Sequence, residues 1–203
     1  NLLPILFVTV FANMLIAQDV KKVFSEEKVV FYGLDFVKAK FSLPDAKPAQ
    51  IKDELFAQWN QSVFGDNGRF PKEAAFKKIT VYGEPFVVEK RNATANTTDM
   101  DSKYERSLTK EEIQSEISQF TGATRKEGLG VVLMVEYFSK KDKKGIADVV
   151  FFDIATKKVL LSKQLTGEPR GAGLNSFWAG AIQVMFDKMA STEFLAWKKE
   201  AGL

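Results

Sequence analysis

Val131–Phe138 reads VVLMVEYF, Ile146–Ala155 reads IADVVFFDIA, and Val159–Leu165 reads VLLSKQL. Each run is rich in β-branched and aromatic residues and is bounded by turn-forming residues, so the three read as strands. The first two are joined by the tip SKKDKKG and the last two by Thr156-Lys157-Lys158. Connections this short link antiparallel neighbours, so the segment is an antiparallel meander and the rest of the chain must supply the layers that cover it.

Downstream, Gly167-Glu168-Pro169-Arg170-Gly171-Ala172-Gly173 leads into a helix from about Asn175 to Met189, with Trp178, Ile182, Met185 and Met189 on one face. Thr192 to Lys199 is a further amphipathic piece carrying Phe194, Leu195 and Trp197. Upstream, Thr109-Lys110-Glu111-Glu112 fits a capping box, and it opens a helix with Ile113, Ile117 and Phe120 as its apolar stripe. Ile51, Leu55, Trp59 and Val63 recur every four residues and predict another helix. Lys28–Phe36 reads as a first strand. A second β run comprises Ile79–Tyr82 and, past Gly83 and Pro85, Phe86–Val88. Asn92–Arg106 is polar, with sequons at Asn92 and Asn96, and reads as a long mobile loop.

The order is β-α-β-α-β-β-β-α. It predicts an α+β fold, an α/β sandwich, with one mixed sheet, a C-terminal meander and helices packed on it. At 203 residues, 45% hydrophobic and 27% charged, residues 18–203 suit a single domain.

Leu2–Ala17 is an uncharged apolar run, the length of a signal-peptide core and short of a bilayer span. Residues 1–17 therefore read as a signal peptide cleaved after Ala17; a retained anchor and a buried core element are the alternatives. The expectation is export to the periplasm or the cell exterior. With no Cys in the chain, a lipid anchor after the leader is ruled out.

The chain also has no His. Thiolate nucleophiles, disulfides, His general bases and the usual zinc sites are excluded, and no cofactor is implied. The net charge is +3, with basic and acidic residues interspersed. Lys140, Lys141, Lys143 and Lys144 surround Asp142 and read as a solvated hairpin tip, so nucleic acid is not an expected partner.

Three groups of residues are candidates for chemistry. Arg170, Gly171 and Gly173 precede a helix start, where free amides and the helix dipole attract anions. The segment is neither a Walker loop nor a dinucleotide fingerprint, and a close strand-to-helix turn explains its glycines equally. Asp35, Glu136, Asp148 and Asp153 lie on or near strands, where two carboxylates can converge for acid–base work; solvent-facing positions are the plainer account. Asp99 and Asp101 lack the spaced ligands of a calcium loop, and no serine has a G-x-S-x-G context. Phe194 and Trp197, with the Asn92–Arg106 loop, are candidate protein contacts.

The run FFDIATKKVLLSKQLTGEPRGAGLNSFWAGAI (Phe151–Ile182) resembles small exported proteins of unknown function from Gram-negative envelopes. The element order is similar to the α/β domain of the curli secretion lipoprotein, the N-terminal domain of the Tol translocation protein and the penicillin-binding-protein activator lipoproteins. The chain departs from these in lacking a lipid-accepting Cys and the long hairpins of the curli channel. The resemblance implies a periplasmic or surface scaffold that docks other envelope proteins, with no catalytic residues to carry over. The functional expectation is accordingly a non-enzymatic envelope protein. A small-ligand or anion-binding module at the Gly-rich turn and a carboxylate-based hydrolase stand behind it.

Overall fold

The computed structural model describes residues 20–65 and 68–203. The leader assigned to residues 1–17 lies outside the described residues. Residues 20–25 are helical (α1). They are followed by β1 (Lys28–Asp35), β2 (Lys40–Ser42), and a helix α2 formed by Pro48–Gln50, a π-helical stretch Ile51–Leu55 and Phe56–Phe64. Then come α3 (Lys72–Phe76), β3 (Thr80–Gly83), α4 (Phe86–Asn92), a 3-10 turn Thr97–Asp99 and α5 (Lys110–Ser118). The meander is β4 (Leu129–Ser139), β5 (Lys144–Asp153) and β6 (Val159–Gly167); α6 (Leu174–Lys188) continues through a π-helical stretch, Met189–Glu193, into α7 (Phe194–Glu200).

The fold is α+β with a six-stranded mixed sheet in the order β3-β1-β4-β5-β6. β1 pairs in parallel with both β3 and β4, and β4, β5 and β6 are antiparallel, as the meander requires. Short β2 pairs with the far end of β4 on the same side as β1.

Alternation along the strands divides the core in two. Val131, Leu133, Val135, Val149 and Phe151 belong to the larger cluster, with Trp59 from α2, Trp178, Ile182 and Met185 from α6, and Phe194 and Trp197 from α7. Val132, Met134, Val150 and Phe152 belong to the smaller, with Val87 and Val88 of α4 and Ile113 and Ile117 of α5. The helix stripes at 51–63, 113–120 and 178–189 are buried as their spacing predicts.

Two expectations are corrected. Phe86–Val88 belongs to a helix. Pro85 occupies its N-cap, and Val87 and Val88 pack on the sheet instead of joining it; a short β-branched run does not distinguish strand from buried helix. The segment from Asn92 to Arg106 is tied down by the 3-10 turn, by buried Ala95 and Met100, and by a bridge from Asp101 to Phe41. Asn92 itself is buried and accepts from the Phe36 N–H at 2.7 Å, so the first sequon is a structural amide.

That amide belongs to a clamp. β1 shifts register between Phe31 and Leu34, and Gly33 there has φ +104°. Asn60 of α2 accepts from Leu34 N–H at 2.8 Å and donates to Leu34 C=O at 3.0 Å, while Asn92 of α4 donates to the same carbonyl at 3.0 Å. Two helices on opposite faces thereby satisfy backbone groups that the irregular strand leaves without ladder partners. At Gly33 a Cβ would lie 2.4 Å from the Asn60 side-chain oxygen, which, with the positive φ, keeps the position for glycine.

Candidate functional site

β6 ends the strand order, so one of its edges pairs with no strand among the described residues. The Val159 N–H on that edge donates to Gln114 Oε1 of α5 at 3.0 Å, and Gln114 Nε2 donates to Lys157 C=O at 2.8 Å. Near the other end, Lys188 Nζ donates to Thr166 C=O at 2.8 Å. Residues two apart on a strand direct their backbone groups to the same edge, so Ser162 and Gln164 present theirs between these two caps. Beside this edge runs a groove of about 870 Å³, walled by Lys110, Ile113, Gln114 and Ser115 of α5 and by Val159–Lys163 of β6. The capping box at Thr109 and Glu112 starts the helical wall: each side chain accepts from the other residue's backbone N–H, at 3.2 and 2.9 Å.

Behind the groove the sheet is polar. Ser162, in the wall, donates to Asp148 Oδ1 at 3.1 Å, and Asp148 shares a hydrogen bond with Glu136. Glu136 sits at a bulge in β4, where the register against β5 shifts between Val135 and Tyr137. It accepts from the Leu108 N–H and, at 2.6 Å, from Gln164 Nε2, which also donates to Ser107 Oγ at 3.1 Å. Glu136 is fully buried and Asp148 nearly so. Burial, with Asp148 beside it, pushes the Glu136 carboxyl up to about 7; burial also raises Asp148. Two carboxyls this close share a proton more readily than they ionise together.

Of the four strand carboxylates, the fold therefore joins Glu136 with Asp148 and separates the other two. Asp35 accepts from Arg91 Nε at 2.6 Å, and Arg91 reaches Glu116 at 2.7 Å. Asp153 caps the β5–β6 turn through Thr156 N–H at 2.9 Å and pairs with Lys22 of α1 at 2.6 Å. Burial disfavours its ionised form, but the Lys22 and Thr156 hydrogen bonds outweigh that and hold its carboxyl below the usual range. Asp99 pairs with Lys40 at 2.7 Å. Among the described residues, no group of three or more His, Cys, Asp or Glu is placed to hold a metal ion. Neither Glu136 nor Asp148 lines the groove.

The other sequence candidates fall as follows. Arg170 is exposed and its guanidinium reaches toward Asp187, at 4.0 Å, well along α6 from the amides at the helix start. Its backbone lies against the helix: Arg170 N–H donates to Phe177 C=O at 3.1 Å, and a Cβ on Gly180 would meet the Arg170 carbonyl at 2.2 Å. Gly171 (φ +114°) serves this fold-back, whereas Gly173 (φ +77°) is the N-cap of α6 and opens onto space. Phe194 and Trp197, expected as protein contacts, are corrected to core residues. Phe194 packs edge-on against Phe24 and Phe151, and both Phe194 and Trp197 are nearly fully buried. In an amphipathic helix the aromatic face turns inward, and Leu195 is the large apolar residue that α7 exposes. Sequence reasoning missed the groove, which exists only once β6 is last in the sheet and α5 lies beside it.

No family model, curated protein or solved structure matches this chain. Among the described residues no helix is long and apolar enough to cross a membrane.

Proposed function

We propose that this chain is an exported, non-enzymatic envelope protein whose α+β domain docks another envelope protein by accepting an extended segment along the free edge of β6. The observation that carries the reading is the groove between that edge and α5, where Ser162 lies beside apolar Ile113, Val159 and Leu161. An added strand takes its affinity from such backbone hydrogen bonds and its selectivity from side chains set alternately into the groove. Lys163 in the strand is the type of residue that discourages indiscriminate edge pairing. Export rests on the apolar Leu2–Ala17 run. Cleavage after Ala17 would remove none of the described elements, because α1 is anchored by Val23 in the core and by Lys78 Nζ donating to the Val23 carbonyl at 2.6 Å.

The test is a photo-reactive side chain at Ser115, which is exposed in the helical wall, introduced into the full chain in its native cell. A discrete envelope-protein adduct is expected. It should be lost in Ser162→Pro, which removes an outward N–H while the melting temperature confirms the fold, and it should be absent from a probe at exposed Ile79 beside β3. Equal adducts from both probes, or an adduct that survives Ser162→Pro, would overturn the reading.

A further inference from the structure

The Glu136–Asp148 pair takes donors from the strand that forms one wall of the β6 groove and from the residue that leads into the other. From β6, Ser162 Oγ donates to Asp148 at 3.1 Å and Gln164 Nε2 to Glu136 at 2.6 Å. From the head of α5, the Leu108 N–H donates to Glu136, one residue before the N-cap Thr109. Leu108 thus lies toward Gln164 and Gln114 toward Val159, so the pair ties the start of α5 to β6. A hydrogen bond between two carboxyl groups requires that one of them keep a proton. The donors that meet the pair are uncharged, and cations on the same segments are engaged elsewhere. Arg106 pairs with Glu112 at 2.6 Å, Lys144 of β5 with Glu105 at 2.8 Å, and Lys163 of β6 with Glu200. Lys110 and Glu111 are exposed in the helical wall. Once the proton leaves, two buried charges face each other with neutral donors alone, an arrangement that calls for water. β4 and β5 lie inside the sheet with a strand on each side. The partners freer to move are edge strand β6 and the turn at Ser107 and Leu108; Ser107 and Gln164 are exposed.

We propose that the pair is a proton-operated latch on the groove: protonated, it holds the start of α5 against β6, and ionised, it draws in water and releases that start, widening the groove beside Ser162. Release is local, because Ile113 and Ile117 still pack on the sheet and Gln114 still caps Val159. The closed latch binds its proton more tightly than the open, hydrated one. Burial, with Asp148 beside it, raises the closed Glu136 carboxyl to about 7, so opening grows easier as pH rises toward that value and levels off above it. The uncapped stretch of β6 at Ser162 then becomes more accessible to an extended segment. That consequence rests on the docking function proposed above, whereas the latch itself does not.

The experiment measures the width of the groove. The chain has no Cys, so Glu111→Cys with Lys163→Cys places one spin label on each wall, and Ser118→Cys with Lys163→Cys reports the far end of α5. As pH rises from about 5 to about 8, the Glu111–Lys163 distance should lengthen while the Ser118–Lys163 distance holds. Glu136→Gln keeps a donor for Asp148 without a titrating proton, and should hold the short distance at every pH; Asp148→Asn serves the same purpose if that variant does not fold. A Glu111–Lys163 distance indifferent to pH, an unchanged response in both variants, or equal movement of the two label pairs would overturn the latch. The Ser115 photo-probe, used in envelope extracts at the same pH values, separates the two readings. More adduct at the higher pH, with the dependence lost in Glu136→Gln, supports both. A pH-dependent distance with no adduct at any pH leaves the latch and removes the docking reading, whereas equal adducts with a fixed distance leave docking and remove the latch.

Discussion

On the face of the sheet that carries α2, α6 and α7, aromatic rings meet in an unbroken series. Phe36 stacks on Phe56 at 4.3 Å, Trp59 meets Phe138 at 5.4 Å, and Phe138 stacks on Trp178 at 4.5 Å. On the opposite face, α4 and α5 cover only part of the sheet, and the apolar layer gives way to Glu136, Asp148, Ser162 and Gln164. One face fastens the domain. The other, among the described residues, leaves a strand edge and a groove uncovered and buries the Glu136–Asp148 carboxyl pair behind them. The difference separates stability from the features that suit recognition, and it can be tested one face at a time.

The largest loss should come from the aromatic face. Phe138→Ala removes a fully buried ring that touches Phe41, Trp59 and Trp178, and should cost about 3–5 kcal/mol in denaturant unfolding. Ile117→Ala on the thinner face should cost about 2–3 kcal/mol. Equal losses would break the asymmetry. The clamp on β1 belongs to both faces: Asn60→Ala strands the Leu34 N–H and Asn92→Ala strands the Phe36 N–H. Each should cost about 2 kcal/mol, and a negligible effect from either would show that β1 holds its irregular course unaided.

The polar face should also reveal itself through pH. The Glu136 carboxyl, ordinarily near 4.5, is raised to about 7 by burial and by Asp148. Between those values the folded chain binds more protons than the unfolded chain, so stability falls as pH rises through this window and the loss is complete above about 7. Glu136→Gln removes the charge and should flatten that slope, recovering on the order of 2 kcal/mol above neutrality and nothing near pH 4. Unfolding curves of the two proteins across the window check this, and parallel slopes would show that the pair is not the source.

Much of this architecture is legible in the residues, and the failures have physical causes. The meander follows from alternation and short turns, and the capping box names the first turn of α5 without structural help. Glu136 and Asp148 are each legible as strand carboxylates, but nothing in the residues around them reveals the bulge that brings them into contact. Running the ladder from the Ser139–Lys144 pair without a shift would set Glu136 opposite Ala147, whose side chain belongs to the other face. Phe86–Val88 and Trp197 mislead for a shared reason: a residue type reports its preference for burial, and the partner is decided by distant parts of the chain. The groove is illegible because its two walls, α5 and β6, are separated in sequence by the whole of β4 and β5.

The smallest expected effect tests whether the thin face depends on local signals where tertiary packing is sparse. Thr109 accepts from the Glu112 N–H at 3.2 Å, and the exposed cap contributes little beyond the first turn of α5. Thr109→Ala should cost about 1 kcal/mol. Because Ile113 and Ile117 still hold the rest of the helix to the sheet, the loss should appear as faster amide hydrogen exchange at Glu111–Ile113, with the strands unchanged. That pattern would place the flexibility in the helical wall of the groove, where an incoming segment must fit. Uniformly faster exchange across β4–β6 would instead make α5 part of the same cooperative unit as the aromatic face, and the division between a fastening face and a receiving face would fail.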